Sequence, residues 1–118
     1  MGKLLYVDDE PFNLKVFEIN FRGDFEVVLA GSGHEGVKKI EENPDIDIVI
    51  SDMKMPEMNG LEFIELAKSK KENLDCYILT GFNVSAEIEA AIQKHLISDY
   101  FRKPFDVDEI RDRVSKIN

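Results

Sequence analysis

Cysteine is nearly missing from this chain. Cys76 stands alone, so no internal disulfide can form and a cysteine zinc site is excluded. Basic residues are scarce as well: 15 lysines and arginines face 24 aspartates and glutamates, for a net charge of −9. That balance argues against direct binding to nucleic acid, where neutralising phosphates would need a basic face, and none is expected. Long apolar runs are lacking. None approaches the roughly 18 residues of a spanning helix, and Met1-Gly2-Lys3 leads straight into an apolar strand with no signal peptide, so a cytoplasmic chain without membrane contact is expected. Repeats, linkers and low-complexity tracts are absent too. A length of 118 residues suits one core, and residues 1–118 are expected to form one domain. Cys76 falls in the apolar run Cys76-Tyr77-Ile78-Leu79, where a lone cysteine packs as a small hydrophobe.

Short β-rich runs alternate with helical patterns along the whole chain. Leu4-Leu5-Tyr6-Val7 stops abruptly at Asp8-Asp9-Glu10, and Pro11 then suits a first helical turn, with Phe12, Val16 and Ile19 at helical spacing. Glu26 to Ala30 reads as a second strand. Ser32 with Glu35 forms a capping-box signature for a helix through Val37 and Ile40, ended by Asn43-Pro44. Ile48-Val49-Ile50 is the most β-branched run, ending at Ser51-Asp52. Asn59 with Glu62 caps a helix carrying Leu61, Ile64 and Ala67, and Lys68, Lys70 and Lys71 read as its solvated end. Cys76 to Leu79, a helix over 84–95 with Ile88, Ala91 and Ile92, the strand Asp99 to Arg102, and a last helix begun by Asp106 with Glu109 complete the series. That last helix turns Ile110, Val114 and Ile117 inward. Five β-α units imply a flavodoxin-like, doubly wound α/β fold: a five-stranded parallel sheet in the order 2-1-3-4-5 with five helices on its two faces.

Ligands of open α/β sheets bind beyond the carboxyl ends of the strands. There the sequence places Asp8 and Asp9, Asp52, Thr80 and Lys103, residue types that are costly to bury alone. Three neighbouring carboxylates repel one another, and Mg²⁺ removes that penalty while keeping waters that phosphate oxygens can replace. A carboxylate is a covalent acceptor for phosphoryl groups. An ammonium and a hydroxyl then stabilise the charge that spreads over the transferring group. Asp52, Lys103 and Thr80 match those roles.

The ordered set Val7-Asp8-Asp9-Glu10, Asp52-Met53-Lys54-Met55-Pro56 with Asn59-Gly60, Thr80-Gly81, and Asp99-Tyr100 with Lys103-Pro104-Phe105 resembles the receiver domain of bacterial response regulators over essentially the whole chain. The resemblance implies phosphorylation of Asp52 in a two-component pathway by a sensor histidine kinase or a histidine phosphotransfer protein. It implies Mg²⁺ held by Asp9 and Asp52, by Asp8 through water, and by the backbone carbonyl of Lys54. Lys103 would pair with phosphoryl oxygens, with a cis bond to Pro104, and Thr80 with Tyr100 would form the switch. The output surface would lie over 84–118, toward an unknown downstream effector. The domain would catalyse its own phosphorylation and dephosphorylation and no other turnover.

Some positions depart from the common pattern. Lys54 and Phe82 would flank the phosphoryl group and set how fast it is lost. Leu96 and Ile97 stand where many receivers have a Gly-Ala pair, which predicts a different helix end. It also leaves open whether, and how, a homodimer forms through the 84–118 face. His34 and His95 have no metal-ligand spacing and are expected at the surface. Two other functions remain in view: a small-molecule phosphatase or phosphotransferase working through an aspartyl-phosphate, which would need a substrate cap, and a binding-only pseudo-receiver or flavin carrier. The intact acidic set and the lack of a Ser/Thr/Gly-rich loop after the first strand disfavour the last two.

Overall fold

Apolar and β-branched residues dominate five short segments that pair as a parallel sheet, in a computed structural model describing residues 2–81 and 84–115. The elements are β1 (Lys3–Val7), α1 (Pro11–Phe21), β2 (Glu26–Ala30), α2 (Gly33–Glu42), β3 (Ile48–Asp52), α3 (Gly60–Lys70), β4 (Asp75–Thr80), α4 (Ala86–Gln93), β5 (Asp99–Arg102) and α5 (Val107–Ser115). The strand order is β2-β1-β3-β4-β5, the doubly wound arrangement expected. Val7 pairs with Ser51, Asp52 with Leu79 and Thr80 with Arg102, so the chemically distinctive residues leave the sheet along one edge.

The strands bury side chains on both faces, as a covered parallel sheet must. Leu5, Val7, Val49, Cys76 and Ile78 meet Ile40 of α2, Phe63, Ile64 and Ala67 of α3, and Ile88 and Ala91 of α4. On the other face Leu4, Tyr6, Ile48, Ile50, Tyr77 and Leu79 meet Phe17 and Phe21 of α1 and Ile110 and Val114 of α5. Ile117 lies outside the described residues.

Local signals set the helix starts. Ser32 Oγ accepts from the Glu35 amide, and the Glu35 carboxylate reaches Gly31 N–H, one residue short of a closed capping box. Asn59 and Glu62 close theirs fully, each side chain accepting the other's backbone N–H at 2.9 Å. Asp106 Oδ1 accepts from the amides of Asp108 and Glu109 at the start of α5. Ser85 caps α4, a start no capping pair had marked.

Three expectations need correction or detail. The buried face of α1 is Phe17 and Phe21, with Leu14 partly buried, whereas Phe12 and Ile19 are 74% and 52% exposed. Apolar residues run almost all round this helix, so spacing alone could not choose the inner face. The lysines ending α3 are more than a solvated cluster: Lys71 Nζ donates to the carbonyls of Pro44 and Ile46 at 2.8 and 2.5 Å, and Lys68 Nζ to that of His95 at 3.0 Å. At the end of α4 the left-handed position is taken by His95, at φ 62°. A helix C-terminus usually gives that position to glycine. His34 and His95 are both exposed.

Candidate phosphoacceptor and cation site

The carboxyl edge of the sheet gathers the predicted residues from four strands. Asp8 follows β1 and is fully buried, Asp9 beside it is exposed, and Asp52 ends β3 at 6% exposure. One oxygen from each of these three carboxylates lies within 4.8 Å of the other two. Such a concentration of negative charge suits a hard divalent cation, which takes oxygen ligands and would offset the mutual repulsion.

Asp8 is held by three donors. Tyr6 hydroxyl donates to its Oδ2 at 2.7 Å, Asn13 Nδ2 to the same oxygen at 3.2 Å, and the Glu10 amide to Oδ1 at 3.0 Å. Neither Tyr6 nor Asn13 was singled out from the sequence. Parity could have found the first, because residues two apart on a strand share a face.

Lys103 reaches Asp52 directly, with Nζ 2.9 Å from Oδ1. Its backbone N–H donates to the Thr80 carbonyl at 2.8 Å, which ties the loop after β5 to the end of β4. The bond from Lys103 to Pro104 is cis. Burial holds the Asp52 carboxyl above its ordinary value; the Lys103 ammonium pulls it back, and the charges of Asp8 and Asp9 push it up. A carboxylate kept basic in this way is a better nucleophile than an exposed one, provided cations keep it ionised.

Asp52, Thr80 and Lys103 line one open cleft, with Lys54 and Met55 from the loop after β3 and Glu87 and Ile88 from α4 on its walls. Thr80 is 5% exposed at the end of β4. Tyr100 is half-buried on β5 and packs against the core on the α2, α3 and α4 side. Lys54 is exposed. Phe82 lies outside the described residues. Asp8, Asp9, Asp52, Thr80 and Lys103 therefore meet at one edge, while Tyr100 stands back from the cleft.

Cys76 is no part of this chemistry. It is 1% exposed in the core, and burial pushes its thiol up to about 12. No helix among the described residues is long and apolar enough to cross a membrane.

Comparison with known proteins agrees with this architecture. The family model of the response regulator receiver domain matches residues 4–115. Sporulation initiation phosphotransferase F of Bacillus subtilis is 32% identical over 117 residues, covering 97% of this chain and 91% of that protein. Transcriptional regulatory protein ZraR of Salmonella typhimurium is 30% identical over 114 residues, which are 96% of this chain but 25% of ZraR; the chain spans about a quarter of that relative. Among solved structures, the CheX-CheY-BeF3-Mg+2 complex from Borrelia burgdorferi contains a chain with a TM-score of 0.88 and 25% identity, covering 98% of this chain and 88% of that one. The chain belongs to the response regulator receiver domain family, the signalling domain of two-component systems.

Proposed function

We propose that residues 1–118 act as one receiver domain that accepts a phosphoryl group on Asp52 from a phosphohistidine. A sensor histidine kinase or a histidine phosphotransfer protein would supply it. The observation that carries this reading is the meeting of the Asp8, Asp9 and Asp52 carboxylates within 4.8 Å, with the Lys103 ammonium 2.9 Å from Asp52. The carboxylate oxygen of Asp52 attacks phosphorus, the bond from phosphorus to the donor nitrogen breaks, and the histidine keeps the electron pair. Asp9 and Asp52 would hold Mg²⁺ directly, with Asp8 reaching it through water and Lys54 through its backbone carbonyl. When bound, the ion neutralises charge on the phosphoryl oxygens. Lys103 pairs with one of those oxygens and Thr80 donates its hydroxyl to another. The domain catalyses only its own phosphorylation and dephosphorylation.

The new group carries about −1.5 to −2 charges. It draws Thr80 and Lys103 toward it, Tyr100 turns in behind Thr80, and the surface over 84–118 shifts between two states already in equilibrium. That surface meets the downstream effector, or a second copy of the chain, in the cytoplasm. The exposed side chain of Lys54, with Phe82, sets how quickly water reaches the acyl phosphate. Support for the cation comes from the carboxylate trio and from the Mg²⁺ named in the Borrelia burgdorferi complex.

Incubation with acetyl phosphate and Mg²⁺ should add one phosphoryl mass to the wild type and none to Asp52→Asn. A mass gain that persists in the variant overturns the assignment.

A further inference from the structure

Tyr6 stands next to the end of the buried strand β1 and brings a hydroxyl into the core. It is 1% exposed, and its ring stacks on Phe17 of α1, with centroids 3.9 Å apart and planes 6° from parallel. Phe17 in turn touches Phe21 and Phe105, at centroid distances of 4.5 and 5.8 Å. The ring is thus held against Phe17, which is itself backed by Phe21 and Phe105, and its hydroxyl has little freedom to wander. Burying a phenol without a partner is costly. An aliphatic strand residue would fill the same position without that demand. Here the hydroxyl donates to Asp8 Oδ2 at 2.7 Å.

The partner is the informative part. A carboxylate oxygen offers about two lone-pair sites, and Asp8 Oδ2 receives two donors, Tyr6 Oη and Asn13 Nδ2. The Glu10 amide engages the other oxygen. Three donors from β1, α1 and the turn between them thus hold the carboxylate in one orientation. Asp9, next in sequence, is exposed. The fully buried member of the trio is the one held by these three donors.

We infer that Tyr6 is a positioning residue for the cation site: its hydroxyl, anchored by the Phe17 stack, holds the Asp8 carboxylate in the orientation from which it joins Asp9 and Asp52 around Mg²⁺. The inference rests on the proposed cation site and adds a residue to it that never touches the ion. Partners behind a metal ligand orient it, and their removal typically weakens metal binding by about 10- to 100-fold; for a carboxylate that reaches the ion through water the lower end of that range applies. Asn13 contributes in the same way through a longer bond.

Mg²⁺ alone is the probe. It is titrated into wild type, Tyr6→Phe and Asn13→Ala, following amide shifts around Asp52 by NMR, with thermal unfolding measured in metal-free buffer. Tyr6→Phe keeps the ring and its stack, so the fold should persist. Its Mg²⁺ dissociation constant is expected to rise about tenfold, and that of Asn13→Ala by less. A purely structural hydroxyl would lower Tm and leave Mg²⁺ affinity within twofold of wild type, which overturns the inference. Wild type and Asp9→Asn are run alongside. Wild type that takes up phosphoryl and Mg²⁺ beside an equally competent Tyr6→Phe refutes the role of Tyr6 alone. Wild type that shows no saturable Mg²⁺ binding refutes the cation site beneath it.

Discussion

Replacing Gly60 with alanine puts a methyl group where the chain has no room for one. A Cβ built at this first residue of α3 would lie 2.4 Å from the Asp52 carbonyl oxygen, 3.1 Å from its carbonyl carbon and 2.8 Å from Ile78 Cδ1. Ile78 can turn aside, but the Asp52 carbonyl belongs to backbone at the end of β3. The Gly60 amide also donates to the Met53 carbonyl at 2.9 Å, so α3 cannot simply swing away. Reopening the contact to 3.0 Å requires a movement of at least 0.6 Å. Overpacking of this kind costs about 1–3 kcal/mol, and the rigidity of the neighbour argues for the upper end. The lower entropy of the unfolded chain offsets up to about 1 kcal/mol. A net loss of about 2 kcal/mol follows, roughly 8 °C in Tm for a domain of this size. Phosphorylation should slow by at least about tenfold, because the displaced residue carries the acceptor and small misplacements of reacting groups are costly. Gly33→Ala is the control: its nearest neighbour would be Met58 Sδ at 2.6 Å, the far part of a flexible side chain, and its Tm should change by less than about 2 °C. Thermal unfolding of both variants and acetyl phosphate labelling read these effects. Gly60→Ala melting within 2 °C of wild type, or no less stable than Gly33→Ala, would refute the steric reasoning.

Asp52→Asn should stabilise the metal-free protein at neutral pH. Burial raises the Asp52 carboxyl, so the folded chain keeps its proton to higher pH than the unfolded chain does. Ionisation therefore costs stability as pH climbs from the ordinary carboxylate value of about 3.9 through the raised one, and the full loss persists above it. Asp52→Asn should melt several degrees higher than wild type at pH 7 and at nearly the same temperature as wild type at pH 3; equal melting at pH 7 contradicts this account. Lys103→Met removes the ammonium 2.9 Å from Asp52 and should slow labelling by acetyl phosphate about 100- to 1,000-fold, read by mass spectrometry. Asn59→Ala opens the reciprocal cap of α3 and should cost about 1 kcal/mol, visible as a lower urea midpoint with the same slope.

Much of the site could be read in the sequence because its parts are strand ends. Val7-Asp8-Asp9, Ile50-Ser51-Asp52, Leu79-Thr80 and Phe101-Arg102-Lys103 each mark a point where an apolar run yields to polar residues, and parallel strands bring such points to one edge. Tyr6 was passed over for the opposite reason. It sits inside an apolar run, and a tyrosine there reads as core until its hydroxyl is seen on Asp8. Lys71 looked like solvent-exposed charge because its acceptors, the carbonyls of Pro44 and Ile46, lie some 25 residues away and on backbone that carries no side-chain signature.

The order and type of the elements were determined locally, by β-branched runs, capping pairs and the proline after Asn43, since each acts through neighbours only a few residues distant. Tertiary structure alone decided which face of α1 turns inward, because that helix is apolar nearly all round and only the aromatic surface beneath it selects Phe17 and Phe21 over Phe12 and Ile19. It also decided which carboxylate of the acidic pair is buried and clamped and which faces solvent. Two identical side chains in succession differ only in what the fold sets around them.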